Sequence, residues 1–294
     1  MDELRIDERP ALERPVLITA FRGWNDGGQG ASLAGAFLAQ ACAAREFASI
    51  DAENFYDFQV ARPTVSLVDG YQRRIDWPEN TFLHAPLPGG RCDAIILLGV
   101  EPNLRWRTFT EHVTRLAGEF GVELVITLGS LLADVPHTRP APVTGSATDP
   151  ELIERLNLQA SRYEGPTGIV GVLHDACGRA GLPSASLWAA VPHYVSLTPS
   201  PRAAKALVDR LAQLLDADLD TTELDDAADA YARQVSEAVA ADDETAQYVE
   251  ELERRVDEIA DAADLPTGDA IAAELTRFLR ERENGGGGDV ARGQ

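Results

Sequence analysis

The chain has 294 residues, 45% of them hydrophobic and 25% charged, which is enough apolar material for one large core or two modest ones and too much for a disordered chain. Its net charge is −22 and falls unevenly: residues 201–294 hold 24 acids against 10 bases, and the first 200 hold 24 against 16. Nucleic acid is held by Lys and Arg that displace its counterions, so a chain this acidic, with Lys205 as its single lysine, is not expected to bind DNA or RNA; its charge reads as a solubilising surface in preference to an acidic docking tail.

The first segment, Met1 to Pro15, is charged and lacks the apolar centre of a secretory signal, and runs such as Ala94 to Val100 are too short to span a bilayer. A cytoplasmic location without membrane contact is the expectation. Apolar runs at Val16 to Phe21, Ala94 to Val100, Glu123 to Leu128 and Ser184 to Val191 are each followed by a stretch of helical periodicity. Helices are expected at Gly30 to Arg45, Thr108 to Phe120, Pro150 to Leu158 and Gly168 to Ala180. That alternation predicts an α/β fold, a three-layer α/β/α sandwich with a mostly parallel sheet. Phe47 to Ala85 breaks the pattern with β-rich pieces, Thr64 to Val68 and Arg73 to Trp77, read as a meander or hairpin added to the sheet.

Ser200 before Pro201 has the form of an N-cap followed by proline at the first helical position, so a helix from Pro201 to about Leu215 closes the core domain, residues 1–216. An acidic helical extension, 217–284, follows. Its amphipathic stripes are Leu224, Tyr231 and Val235, then Val249, Leu252, Val256 and Ile259, then Ile271, Leu275 and Phe278. The middle stripe is a narrow seam of the coiled-coil type, too short for an independent rod, so it is expected to pack on the body or on another subunit. Residues 285–294, with four consecutive glycines, are expected to be a disordered tail.

In an open α/β sheet, ligands sit beyond the carboxyl ends of the strands, which directs attention to the residues there. After the first run come Gly23, Trp24, Asn25, Asp26 and Gly28, leading into a helix; after Val100 come Glu101, Asn103 and Arg105; after Leu128 comes Ser130 with His137 and Arg139 downstream; after Val191 come His193 and Tyr194. These thirteen residues are the pocket candidates. The glycine-rich loop can offer N–H groups to an anion, but it matches neither Gly-x-Gly-x-x-Gly nor a P-loop, and the plainer reading is a tight turn with Asn25 or Asp26 capping the helix. Glu101 with His137, Arg139 and His193 could supply acid and base; a strand-end Glu is more often a structural partner of an arginine, here Arg105 or Arg139. No catalytic residue is assigned.

Trp24 and Trp106 could line a pocket or anchor a protein interface, and Thr167 is a candidate cap for the helix that follows it. No two histidines lie at metal-ligand spacing, so neither a metal site nor a cofactor is expected. Cys42, Cys92 and Cys177 are odd in number and widely spaced, and read as reduced and mostly buried. Without a Gly-x-Ser-x-Gly elbow, a hydrolase triad on Ser130 has little support.

The ordered set Gly23-Trp24-Asn25-Asp26-Gly27-Gly28, Glu101-Pro102-Asn103 with Arg105-Trp106, Leu128-Gly129-Ser130 with Pro136-His137-Thr138-Arg139, Tyr163-Glu164-Gly165-Pro166-Thr167-Gly168 and Pro192-His193-Tyr194 resembles the proteasome assembly chaperone two family in its actinobacterial form. The resemblance covers roughly residues 14–215, and Leu265-Pro266-Thr267-Gly268-Asp269 extends it towards the end. It implies a fold similar to nucleoside phosphorylases without implying their activity, and self-association, a trimer first. Eukaryotic relatives dock on proteasome α-subunits, some through a hydrophobic-Tyr-any-residue tail; this chain departs from that pattern with Ala291-Arg292-Gly293-Gln294. The leading expectation is a non-enzymatic assembly protein, a homo-oligomer that binds a proteasome-related complex. The alternative is a binder of nucleoside-like or phosphate-like small molecules, or a hydrolase, working through Asp26, Glu101, His137, Arg139 and His193.

Overall fold

The computed structural model describes residues 3–147, 149–160, 163–195 and 199–264. The expected stripe of Ile271, Leu275 and Phe278, the Leu265–Asp269 motif and the glycine-rich tail lie outside them. The described strands are β1 (Leu4–Ile6), β2 (Val16–Arg22), β3 (Arg45–Ile50), β4 (Thr64–Val68), β5 (Gln72–Asp76), β6 (Asn80–Pro86), β7 (Asp93–Val100), β8 (Leu124–Ala133), β9 (Val143–Ala147), β10 (Gln159–Ala160) and β11 (Ser184–Pro192). The helices are α1 (Gly30–Ala41), α2 (Trp106–Glu119), α3 (Pro150–Arg155), α4 (Ile169–Ala180), α5 (Pro201–Leu215), α6 (Thr222–Val239) and α7 (Asp243–Asp264).

Nine strands form one sheet in the order β1-β3-β6-β7-β2-β8-β11-β9-β10. Its middle is parallel, β7 beside β2 beside β8 beside β11, and these are the four apolar runs of the sequence. Strands in a parallel centre are covered on both faces and therefore read as unbroken hydrophobic runs. One margin is antiparallel, with β6 on β7, β3 on β6 and β1 on β3; at the other, β9 lies antiparallel on β11 and the two-residue β10 parallel on β9.

Alternation along β2 separates the layers. Val16, Ile18 and Ala20 join Leu38 of α1 and Leu207 and Leu211 of α5 in one core; Leu17 and Phe21 join Phe109 and Val113 of α2 and Leu173 of α4 in the other. Period-two strands feeding two helical layers make the three-layer α/β/α sandwich. The second core is aromatic, with Phe109 edge-on to both Phe21, at 6.0 Å between ring centroids, and Phe55, at 5.5 Å.

Two local expectations change. The first helix stops at Ala41, four residues early, and Arg45 opens β3 instead. The region from Phe47 to Ala85 splits: β3 and β6 enter the main sheet, whereas β4 and β5 pair only with each other in a separate two-stranded sheet. The Asp69-Gly70 pair supplies the left-handed turn between them, with φ of 51° and 76°.

Backbone contacts divide the chain into a unit of Met1–Ala246 and a second of Gln247–Gln294. Within the first, α6 buries Leu224, Ala228, Tyr231 and Val235 and packs along α5. Among the described residues no helix is long and apolar enough to cross a membrane.

Candidate functional site

The carboxyl ends of β2, β7, β8 and β11 face one end of the sheet, and the thirteen strand-end residues form distinct bonded groups there. Glu101, just past β7, is the centre of the first. Its Oε2 accepts the backbone N–H of Trp24 at 2.9 Å, and its Oε1 accepts Asn25 Nδ2 at 3.1 Å and the backbone N–H of Ile169 at 2.8 Å. One carboxylate thus ties the loop after β2 to the first turn of α4, where the helix dipole favours a negative charge. Gly23, at φ +149°, brings the chain against Glu101; a Cβ there would lie 2.7 Å from Glu101 Cβ. The expected partners of Glu101, Arg105 and Arg139, are engaged elsewhere. The expected cap Thr167 is replaced as well, since α4 starts from Gly168 without a side-chain cap and Glu101 supplies the acceptor.

Asp26 and Ser130 form the second group. Asp26 is buried, and its Oδ1 accepts the N–H groups of Ala31 at 2.9 Å and Ser32 at 3.2 Å, together with Ser130 Oγ–H at 3.2 Å. Ser130 Oγ also accepts from Ala31 N at 3.2 Å. Asp26 therefore serves the start of α1 from three residues ahead of the formal cap, Gln29. Gly28, at φ +59°, makes the turn between them and accepts the N–H of Ser200 at 2.7 Å, which fixes α5 to the same loop.

His137, buried, belongs to a third group. Its Nδ1 lies 2.9 Å from the Tyr194 hydroxyl, which also accepts the His137 backbone N–H at 2.8 Å, and its Nε2 lies 3.0 Å from Ser236 Oγ on α6. His193 is exposed, with Nδ1 3.2 Å from Asp134. Arg139 reaches Thr138 Oγ1 at 3.3 Å, and its carbonyl accepts Arg202 at 2.9 Å. Asn103 and Arg105 turn the other way: Asn103 Oδ1 accepts the Asp57 N–H at 3.0 Å, and Arg105 pairs with Glu3 while lying over the Phe55 ring at 5.6 Å. Glu3 also meets His112 Nε2 at 2.9 Å, and that contact, against the opposing effect of burial and with help from Arg105, holds its carboxyl below the usual range.

His137 and Arg139 line a cavity of about 10 Å³, the space of one water molecule, with Ser200, Arg202 and Tyr231. The roomier cavity, about 520 Å³, lies elsewhere and contains none of the thirteen: it is a groove between α1 and the sheet, lined by Arg22, Leu33, Leu83 and Leu98 and overhung by Trp77. Sequence reasoning missed this groove because its walls come from ordinary periodic positions. Trp24 is 64% exposed, whereas Trp106 donates its indole N–H to the Pro102 carbonyl.

Among the described residues no group of acids, histidines and cysteines is arranged to hold a metal. Cys177 is buried, and burial pushes its thiol up to about 12; burial raises the partly buried Cys42 and Cys92 thiols too. Burial thus disfavours the thiolate, the nucleophilic form, at all three.

Residues 20–239 match the model of the PAC2 family. A PAC2 family protein from Streptomyces avermitilis is 47% identical over 80% of this chain and 99% of its own, with a TM-score of 0.73. A proteasome-assembly chaperone homologue from Mycobacterium tuberculosis is 45% identical with the same coverages and TM-score. A further Mycobacterium tuberculosis protein, described as of unknown function, is 30% identical over 89% of this chain and 91% of its own, with a TM-score of 0.79. No curated protein matches the chain.

Proposed function

The chain belongs to the PAC2 family, and from that membership we propose that it is a non-enzymatic assembly protein, a homo-oligomer, trimer first, that binds a proteasome-related complex in the cytoplasm. In this reading the α/β core of residues 1–216 is the body, and residues 217–284 are its acidic extension. The observation that carries the reading is the bonding of Glu101. The carboxylate best placed for acid–base work is committed to Trp24, Asn25 and Ile169, and Asp26 holds the start of α1 through Oδ1, while its Oδ2 is buried away from solvent without a partner among the described residues. A strand-end crevice built this way holds loops and helices in register. A general base, by contrast, needs a free lone pair within reach of a substrate proton.

The test is affinity purification of the tagged full chain from native extract. Recovery of proteasome subunits in defined ratio supports the reading; recovery of this chain alone overturns it. The second reading, a binder of nucleoside-like or phosphate-like molecules or a hydrolase, is favoured by the 520 Å³ groove, which has the volume of a small-ligand site. Thermal shift with nucleosides, nucleotides and inorganic phosphate decides it. A rise in Tm that grows with ligand concentration supports binding, and a flat response removes it.

A further inference from the structure

We propose that one face of the β4–β5 hairpin is the surface by which this chain docks on a second copy of itself. This rests on the homo-oligomer reading above and names the surface that the reading requires.

The hairpin is bonded only to itself: Val65 pairs with Ile75, Leu67 with Arg73, and neither strand joins the main sheet. Paired residues share a face, and alternate residues face opposite ways. One face therefore carries Val65, Leu67, Ile75 and Arg73, and the other carries Thr64, Ser66, Val68, Gln72, Arg74 and Asp76. The first face is apolar and open, with Val65 59%, Leu67 63% and Ile75 53% exposed. A two-stranded ribbon is marginal in water unless something packs on it, so this face needs an occupant.

Charge selects the occupant. On the polar face Arg74 is paired with Asp76 at 2.6 Å. Arg73 sits within the apolar face, exposed, and makes no ion pair among the described residues. Residues 60–77 hold Arg62, Arg73 and Arg74 against Asp69 and Asp76, a locally basic stretch on a chain of net charge −22. Self-repulsion between two copies of so acidic a chain is lessened where a cationic group lies at their contact. The complementary surface is the solvent side of α6, where four acids, Glu223, Asp226, Asp229 and Glu237, outnumber the one base, Arg233, around the small residues Ala227 and Ala230, all exposed, opposite the buried stripe of Leu224, Tyr231 and Val235. Small residues between acids let a flat apolar ribbon lie down while Arg73 reaches a carboxylate. A hairpin on one copy meeting a helix on the next is a heterologous contact, which repeats into a ring where its rotation closes and into an open filament where it does not.

Light scattering on the full chain tests this, with circular dichroism confirming that each variant is folded. The expected result is an oligomer for the wild type, and a mass near the single-chain 31.7 kDa for Leu67→Ser/Ile75→Ser. Val68→Ser, on the opposite face, keeps the oligomer. Arg73→Glu weakens association by about tenfold, and adding Asp226→Arg restores it. A monomeric wild type overturns the homo-oligomer reading itself. An oligomeric wild type with an unchanged Leu67→Ser/Ile75→Ser variant leaves that reading standing and overturns the hairpin assignment. So does a variant that stays oligomeric but stops recovering a foreign protein, which makes the occupant a partner. Failure of Asp226→Arg to rescue overturns the pairing with α6.

Discussion

Glu101 Oε1 accepts the backbone N–H of Ile169 at 2.8 Å, joining residues 68 positions apart so that the end of β7 caps the start of α4. Removing that carboxylate leaves the N–H groups of Trp24 and Ile169 and the Asn25 amide without their acceptor. Glu101→Ala is expected to cost about 2–3 kcal/mol, the range for hydrogen bonds to a charged group, and Glu101→Gln less because one acceptor oxygen remains. Urea unfolding followed by circular dichroism gives both values, and equal stability of Glu101→Ala and wild type would show that the carboxylate does not hold this junction.

Gly168 lies under the same junction. A Cβ there would fall 2.2 Å from Asn25 Nδ2 and 2.6 Å from Glu101 Oε1. Gly168→Ala is therefore expected to destabilise by about 1–3 kcal/mol through overpacking. Because it displaces the groups that Glu101→Ala removes, the double variant should cost clearly less than the two singles together. Additivity within about 0.5 kcal/mol would show that the two sites are independent.

Lys205 on α5 meets Asp225 on α6 at 2.7 Å and Asp209 at 2.9 Å. Burial opposes the lysine charge, but the two carboxylates outweigh it and hold the ammonium above the ordinary lysine value, while Lys205 in turn holds the Asp225 carboxyl below the usual range. The lysine's contribution is complete below its unfolded value of about 10.4 and disappears as pH rises through the raised folded value. The aspartate's is complete above about 3.9 and disappears as pH falls through the lowered folded value. Both groups are partly solvated, so the pair is worth less than about 1 kcal/mol. In urea midpoints measured against pH, Lys205→Met should flatten the curve at both ends; an unchanged acid limb would place that limb's pH dependence on other carboxylates.

Ser236 is expected to help seat α6, because its hydroxyl meets His137 Nε2 at 3.0 Å beside the apolar stripe of Leu224, Tyr231 and Val235. Ser236→Ala should cost about 1 kcal/mol, and hydrogen exchange should quicken across α6 while α2 and α4 stay protected. Uniform loss of protection would mean that α6 opens only with the whole unit.

The parallel centre of the sheet was readable because β2, β7, β8 and β11 are buried on both faces and so appear as continuous apolar runs. Short edge strands carry no such signal. Leu4–Ile6 is three residues in a charged segment, and Val143–Ala147 is made of small residues that become a strand only by pairing with β11. The strand character of Thr64–Val68 was likewise visible in its composition, but periodicity does not say which strand is the neighbour, and the hairpin stands apart from the sheet. At the site, the loops were legible from their motif residues, whereas the bonds of Glu101 to Ile169 and of His137 to Ser236 join segments far apart in sequence. Tertiary folding alone creates them.

Lys205 is the chain's single lysine, and it sits where α5 meets α6. Amine-acylating reagents therefore have one side-chain target in the whole molecule, and its reactivity requires that the ammonium leave two carboxylates and lose its proton. The rate of acylation at that one position is a built-in gauge of how often Lys205 leaves its two carboxylates at the α5–α6 junction, readable by mass spectrometry without introducing any label.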